Sequence, residues 1–552
     1  MSRPQRAVRS QRSRRRPITA GLLLALGALS CVSANAQANS GESYKETLRV
    51  SQGYDGKVVA EFAFNRKIGP LALAKAEDNQ YGLLPRSIGE VVQTYGVQEF
   101  HLTFSQGNWN SAKWGYSSLA SATGVELWTW FNTTANIDTQ WKGLTHALAG
   151  LFCASLNQID QASTAQPLLS FQPEGEYPSN PKAGEGSDLH VRYGHLPHEA
   201  VCTENLTPWG KLLPCQTKAG LASLFNAYRL FDGSYHSMGT HLRPLCMNEA
   251  CTERGLEFSQ TLLVVLDPIR FENRKDWTFS SLFERTVPST CALADETDVQ
   301  VTVPSHPAVT FTPEPKRIVN GYTGYITAHY LLDQRSSPTF DLGIHWSDTA
   351  VSFGFNRNDT YIRAHRYGTG YGGERGGLAV DLINDHPDND QDITLFDAVP
   401  WYLKLYLHTL RTETTAGNGA DIVKDLFFQP AIDRGRPAVL EMAMTLPANS
   451  TTTLYIDFDK AFIKYTEHPP DANRGFDIGA AIITFTTPSG EDGDVQGKTH
   501  RIYTESVLVS LPTPDFSMPY NVITLTCTVM ALWFGSMFNL LTRRYEPLVI
   551  KD

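Results

Sequence analysis

Residues 522 to 541 read VITLTCTVMALWFGSMFNLL, a run with no charged side chain. At about 1.5 Å per residue a helix of this length covers about 30 Å, the thickness of a bilayer's hydrocarbon core. Arg543 and Arg544 follow at once. Basic residues mark the cytosolic flank of a span, so residues 521–542 read as one transmembrane helix and 543–552 as a cytosolic tail. A signal for a lipid anchor also carries an apolar run, but it ends there, whereas a basic pair and a polar tail follow here. Thr524, Thr526, Thr528, Ser536 and Asn539 are polar within the span. Polar side chains in spans tend to face other helices, which predicts packing against membrane partners. The alternative is that Thr and Ser bond their own helix backbone.

The opposite end reads as a signal peptide over residues 1–38. Seven arginines lie between Arg3 and Arg16, an apolar run covers Ile18 to Val32, and Ala34-Asn35-Ala36 or Ala36-Gln37-Ala38 supplies the cleavage site. Together the two ends predict a single-pass type I membrane protein with its bulk in the lumen. Residues 39 to 520 leave room for about two or three domains. Removing the seven signal arginines takes the formal net charge from −10 to −17, which excludes a general nucleic-acid binder.

Of eight cysteines, Cys31 falls in the signal and Cys527 in the span. Cys153, Cys202, Cys215, Cys246, Cys251 and Cys291 remain on the lumenal side, where thiols oxidise and disulfides are expected. Cys246 and Cys251 could close a tight loop, but spacing leaves the full connectivity open. No paired C-x-x-C supports a zinc site. Asn132, Asn205, Asn358 and Asn449 head N-x-S/T sequons and are candidate glycosylation sites. Asn205 is followed by Thr207-Pro208 and Asn132 sits among aromatics, so these two are the weaker candidates.

Alternating apolar and polar residues predict strands at 58–64, 99–104, 127–131, 259–266, 322–332, 401–410, 452–458, 480–486 and 502–511. Apolar residues recurring every three or four positions predict helices at 141–157, 87–95 and 218–228. The fold class is therefore mainly β with an α+β N-terminal part: tandem β-sandwich-like domains and one C-terminal transmembrane helix. A Pro-rich stretch at 303–316 is the expected boundary between a 39–300 α+β domain and a 301–520 β-sandwich-like domain.

No catalytic constellation stands out. His146 and Cys153 lie about two turns, or roughly 10 Å, apart on one predicted helix, too far for a nucleophile–base hydrogen bond. His236 and His241 lack a third metal ligand nearby. The run GTGYGGERGG (368–377) lacks the Lys-Ser/Thr of a phosphate loop and reads as a tight turn. Asp457 and Asp459 share one face of a predicted strand, where exposed charge is the default. No catalytic residue, metal or cofactor is assigned.

Nine segments in order along the chain carry a resemblance. Among them are FHLTFSQGNWNSAKWGYSS (100–118), GVELWTWF (124–131), LTHALAGLFCASLNQID (144–160) and VCTENLTPWGKLLPCQTKAGL (201–221). They continue through SYHSMGTHLRPLC (234–246), DAVPWYLKLYLHTL (397–410), LEMAMTLPANS (440–450), FIKYTEHPPDANRGF (462–476) and LPTPDFSMPYNVITLTCTV (511–529). These resemble the PIG-T family of glycosylphosphatidylinositol (GPI) transamidase subunits. The resemblance implies a non-catalytic scaffold in the endoplasmic reticulum membrane. Its implied partners are a caspase-like cysteine peptidase, multi-span membrane subunits, the GPI lipid and the proprotein substrate. It also implies that Cys202, in the VCTENL motif, forms a disulfide to the peptidase. With Cys202 so assigned, the expected internal bridges are Cys246–Cys251 and Cys215–Cys291, with Cys153 a buried thiol. The alternative is a stand-alone lumenal glycan-binding or chaperone-like type I membrane protein.

Overall fold

The fold is that of a computed structural model describing residues 41–548 except 54, 71–80, 133–135, 178–188, 273–274, 307, 321–323, 334–338, 348–359, 418–421, 470, 472–473, 488–497, 514 and 516. The signal segment 1–38 and the sequon Asn358 lie outside the described residues.

The first part of the chain forms strands β1 (Ser43–Gln52), β2 (Val58–Ile68), β3 (Val97–Gln106), β4 (Gly124–Asn132), β5 (Thr164–Ala165), β6 (Leu189–Leu196), β7 (Tyr235–Cys246) and β8 (Arg254–Leu266). Then follow β9 (Trp277–Thr278), β10 (Glu296–Pro304), β11 (Val309–Thr312), β12 (Arg317–Asn320), β13 (Tyr325–Leu332) and β14 (Gly343–Trp346). Eleven of these make one sheet in the order β12-β13-β10-β1-β2-β8-β7-β3-β4-β6-β5. Its pairings are antiparallel except β1 with β10. The period-2 pattern explains its two faces. Phe100, Leu102 and Phe104 of β3 join a core with Trp141, Leu144, Leu148 and Phe152 of the helix Ile137–Phe152 and Trp209 of the helix Thr203–Lys211. On the other face Trp128 and Trp130 of β4 pack with Val191, Tyr193 and residues of the second half, Phe396, Val439 and Ile482. Each such large side chain contributes about 1.5–3 kcal/mol by leaving water.

The Pro-rich stretch does not end this sheet. β10 and β13 pair antiparallel across it, with Val299, Val301 and Val303 fully buried. The boundary expected near residue 300 therefore lies inside the eleven-stranded sheet. Alternation on both sides of the prolines outweighs their effect as breakers, because they sit at a strand end and beyond.

The second half is a sandwich. Its strands are β15 (Ile362–Thr369), β16 (Arg375–Asn384), β17 (Gln391–Val399), β18 (Leu403–Thr414), β19 (Val423–Gln429), β20 (Ala438–Leu446) and β21 (Ser450–Lys460). β22 (Phe476–Ile478), β23 (Ile482–Thr487), β24 (Lys498–Tyr503) and β25 (Val507–Val509) complete it. Sheets β15-β16-β21-β18 and β19-β20-β17-β23-β24 enclose Val380, Leu382 and Leu454 against Leu395, Met442 and Ile483. The strand expected over 502–511 is two strands: β24 pairs with β23, whereas β25 pairs with β22.

Two helical expectations change. The 218–228 segment holds a short 3-10 turn, Leu221–Leu224, and a separate helix, Ala227–Phe231. Gly220 at φ 72° starts the turn, and the buried Glu46 carboxylate accepts from the Leu221 N–H at 3.0 Å, which holds the backbone away from a continuous helix. Cys153 is exposed rather than buried: the helix ends at Phe152, and Cys153 takes the left-handed cap at φ 53°.

The helix Ser517–Thr542 is long and apolar enough to cross a membrane and buries nothing inside the protein. Thr526 and Thr528 donate to the carbonyls of Val522 and Thr524 at 2.8 Å, so these two hydroxyls are satisfied within the helix.

Candidate subunit-attachment site

Cys202 is the N-cap of the helix Thr203–Lys211. The Cys202 N–H donates to Asn205 Oδ1 at 3.0 Å, and the Cys202 side chain receives the N–H three residues on, a reciprocal cap. Asn205 Nδ2 reaches further, donating to the carbonyls of Phe152 at 3.0 Å and Cys153 at 3.1 Å. One buried amide therefore joins the end of one helix to the start of the next. Trp209 is buried behind it, its Nε1 donating to Gly239 O at 3.0 Å and its ring edge-on to Phe64. Beyond the helix, Cys215 is bonded to Cys291 across 76 residues, with Cα atoms 5.8 Å apart. The Cys202 thiol thus stands exposed and unbonded on a helix fixed from both ends.

Cys246 is bonded to Cys251 at the end of β7. Among the described residues the free cysteines are Cys153, Cys202 and Cys527. Asn205 fails as a glycosylation site: it is 2% exposed and its Nδ2 is committed to two carbonyls. Asn449 is exposed in the turn between β20 and β21, and Asn132 is exposed at the end of β4. We expect Asn449→Gln to remove a glycan, seen as a glycosidase-sensitive mobility shift. Asn205→Gln should leave the glycan pattern unchanged yet destabilise the chain by about 1–2 kcal/mol through the lost cap. An unchanged melting curve for the latter would refute the capping role.

A buried polar cluster, invisible in the sequence, joins the large sheet to the sandwich. His101 on β3 stacks on Trp128 at 3.8 Å, with Nδ1 3.0 Å from His241 Nδ1 and Nε2 3.0 Å from Glu99. Glu99 also accepts from the N–H groups of Glu174 and Gly175 and from the Tyr177 hydroxyl. Glu174 meets Arg243 at 2.7 Å and Arg501 of β24 at 2.8 Å. Burial raises the Glu174 pKa, but Arg501, His101 and Arg243 outweigh it and hold the carboxyl well below its usual range. Burial lowers the pKa of both His101 and His241, the latter strongly, which favours neutral imidazoles. No metal-like group of three or more His, Cys, Asp or Glu side chains occurs among the described residues.

Glu126 lies in the same joint and accepts from Tyr193 at 3.2 Å and Tyr503 at 3.0 Å. Burial pushes its pKa up to about 7, against the opposing pull of Arg501. The stability supplied by its protonated form is full below about pH 4.5 and is lost as pH rises through about 7. Glu126→Gln stays uncharged, so relative to wild type it should gain up to about 3 kcal/mol between pH 5 and 8. Melting curves of both proteins at the two pH values test this, and a pH-independent difference would refute it.

The sequence profile described as "Gpi16 subunit, GPI transamidase component" matches residues 27–276 and 268–551. The GPI-anchor transamidase component PIGT of Homo sapiens is 39% identical over 542 residues, covering 92% of this chain and 91% of the human protein. The chain belongs to the Gpi16 family. The GPI transamidase component GPI16 of Saccharomyces cerevisiae is 30% identical over 550 residues, covering 91% of this chain and 88% of the yeast protein.

In this Gpi16-family chain the remaining candidate residues fall apart in space or into structural roles. His146 is exposed on its helix, whereas His236 is buried on β7. Asp459 accepts from the Tyr406 hydroxyl at 2.6 Å and faces Arg375 at 3.5 Å, while Asp457 is exposed. The glycine run forms the β15–β16 hairpin tip. A cleft of about 630 Å³ opens beside the joint, walled by Tyr193, His195, Trp401, Tyr402 and Phe476. Ser163 in its wall donates to Asp160 rather than to a histidine.

Proposed function

We propose that this chain is the non-catalytic scaffold subunit of GPI transamidase. It sits in the endoplasmic reticulum membrane as a single-pass type I protein and holds the caspase-like cysteine peptidase on its lumenal body through Cys202. The observation that carries the reading is the state of the lumenal cysteines. Four are closed in two internal disulfides, while Cys202 stays free and exposed on a braced helix. The scaffold role is positional. Thioester formation and amine attack belong to the peptidase. Holding it over the membrane, near the GPI lipid and the proprotein C-terminus, raises effective concentration. Ser536 and Asn539 of the span supply polar contacts toward the multi-span subunits.

The test is purification of the full chain in mild detergent. Co-elution of a cysteine peptidase and multi-span membrane proteins, with no turnover by the chain alone, is the expected result. Elution as a monomer with affinity for glycans would overturn it in favour of a stand-alone glycan-binding protein.

A further inference from the structure

Several chain segments converge on one end of the four-stranded sheet. The β15–β16 hairpin turns there, after the pair Thr369–Gly377. β21 ends there, with Arg375 opposite Asp459 and the Lys460 N–H donating to Glu374 O at 2.8 Å. β18 begins there, with Leu403 opposite Lys460. The chain heading for the membrane helix leaves there too. Glu505 accepts from the Arg366 N–H at 3.0 Å, and Val507 lies 3.7 Å from where a Cβ on Gly368 would sit. Residues 505 to 509 therefore run beside β15 in the same direction, toward the hairpin tip. Leu511 is still buried, and Ser517 already begins the long apolar helix. Six residues of extended chain reach at most about 20 Å, so this end lies close to where the helix starts.

The same end exposes aromatic side chains that nothing in the fold covers. Tyr371 stands fully exposed between Gly370 and Gly372, both at positive φ, which lets the tip project. Phe462 is 71% and Tyr465 57% exposed, with Lys464 between them. Their loop is anchored rather than loose: Ile463 packs against the local core, the Ala461 N–H donates to Tyr402 O at 2.8 Å, and Glu467 pairs with Arg434 at 2.6 Å. Leu508, 54% exposed, belongs to the departing strand itself.

Water is a poor medium for so many apolar rings held outward, and amphipathic aromatics favour the bilayer interface. We propose that this end of the sandwich rests on the bilayer, with Tyr371, Phe462 and Tyr465 seated in the headgroup layer. The spanning helix then tethers the body, and the aromatic rim sets its height and tilt above the leaflet. The proposal rests on Ser517–Thr542 being a span and is independent of the complex.

The test uses the full chain reconstituted in phosphatidylcholine vesicles. Cys153, Cys202 and Cys527 are replaced by serine, and an environment-sensitive fluorophore is placed on Tyr371→Cys, Phe462→Cys or, as a control on the helix face of the large sheet, Tyr228→Cys. The expected result is blue-shifted emission at the first two positions, quenched by lipid spin-labelled near the headgroup, with no such change at the third. Iodide-accessible labels at all three, insensitive to spin-labelled lipid, would overturn the proposal. So would labels at the first two positions that become shielded only in the presence of co-purified membrane proteins, since that assigns the rim to a protein partner.

Discussion

Cys202→Ser is expected to abolish every disulfide-linked adduct of this chain while leaving its fold intact. The substitution isolates the thiol because serine is a favoured N-cap and preserves the reciprocal bond with Asn205. Neither internal disulfide involves Cys202, so both persist. On a non-reducing gel, with free thiols blocked at lysis, wild type should give a high-mass band containing a cysteine peptidase. That band should vanish on reduction and in Cys202→Ser, and should remain in Cys153→Ser. Cys153 is the necessary control: it is also free and exposed, and its carbonyl is bonded to the same Asn205. A band surviving in Cys202→Ser, or lost in Cys153→Ser instead, would refute the assignment. Transamidase activity should fall without disappearing, since the tether adds to non-covalent contacts rather than replacing them.

The largest expected effect on stability comes from Arg501→Met. Arg501 lies over the rings of Trp128 and Phe171 at 5.0 and 5.2 Å and donates to Glu174 at 2.8 Å. It also supports the buried Glu126 electrostatically. Methionine keeps much of the apolar contact and removes the charge, leaving the buried Glu126 and the partly exposed Glu174 without their common cation. The pair is only partly buried, so breaking it should cost about 1.5–3 kcal/mol, below the range of a fully buried pair. Arg243 remains beside Glu174, which places the expectation toward the lower end of that range. Because Arg501 comes from β24 and Glu174 from the loop laid on the large sheet, the loss falls on the joint. The denaturant midpoint should then fall relative to wild type. Adding Glu174→Gln should recover part of the loss, as the unpaired charge disappears. A single variant within about 1 kcal/mol of wild type would mean that the cluster is dispensable.

Local patterns carried much of the fold. Alternation marked β2, β3, β4, β8 and β21 because each strand's two faces meet different surroundings, a condition written into every second residue. The stripe from Trp141 to Phe152 marked its helix for the analogous reason at helical spacing. The segment at 218–228 misled because its apolar residues mimic a stripe, whereas a carboxylate from β1 and a positive-φ glycine decide its backbone. A short-range pattern holds no information about Glu46, which is far away in sequence.

The candidate site divides the same way. That Cys202 is a cysteine in a VCTENL motif was legible in the chain, and family resemblance pointed to it. Its exposure was not, nor was the closure of the Asn205 sequon, which depends on carbonyls more than fifty residues upstream. Of the Glu99–His101–His241–Glu174–Arg501 joint only His241 drew notice in the chain, and its partners did not, since the members come from three strands and a loop far apart in sequence.

The sequence by itself determined the charge-free span with its basic flank, the mainly β character and the family, because each is a property of neighbouring residues or of ordered motifs. The two internal bridges, Cys215–Cys291 and Cys246–Cys251, are those the family resemblance implied. Only the tertiary structure decided that Cys153 is exposed, that the sheet continues through the prolines at 303–316, and that carboxylates and imidazoles share one joint. The joint depends on sheet register, which sets His101 of β3 opposite His241 of β7, 140 positions away. Register is settled where a buried face makes a one-residue slip costly, and that burial exists only once the sheet is packed.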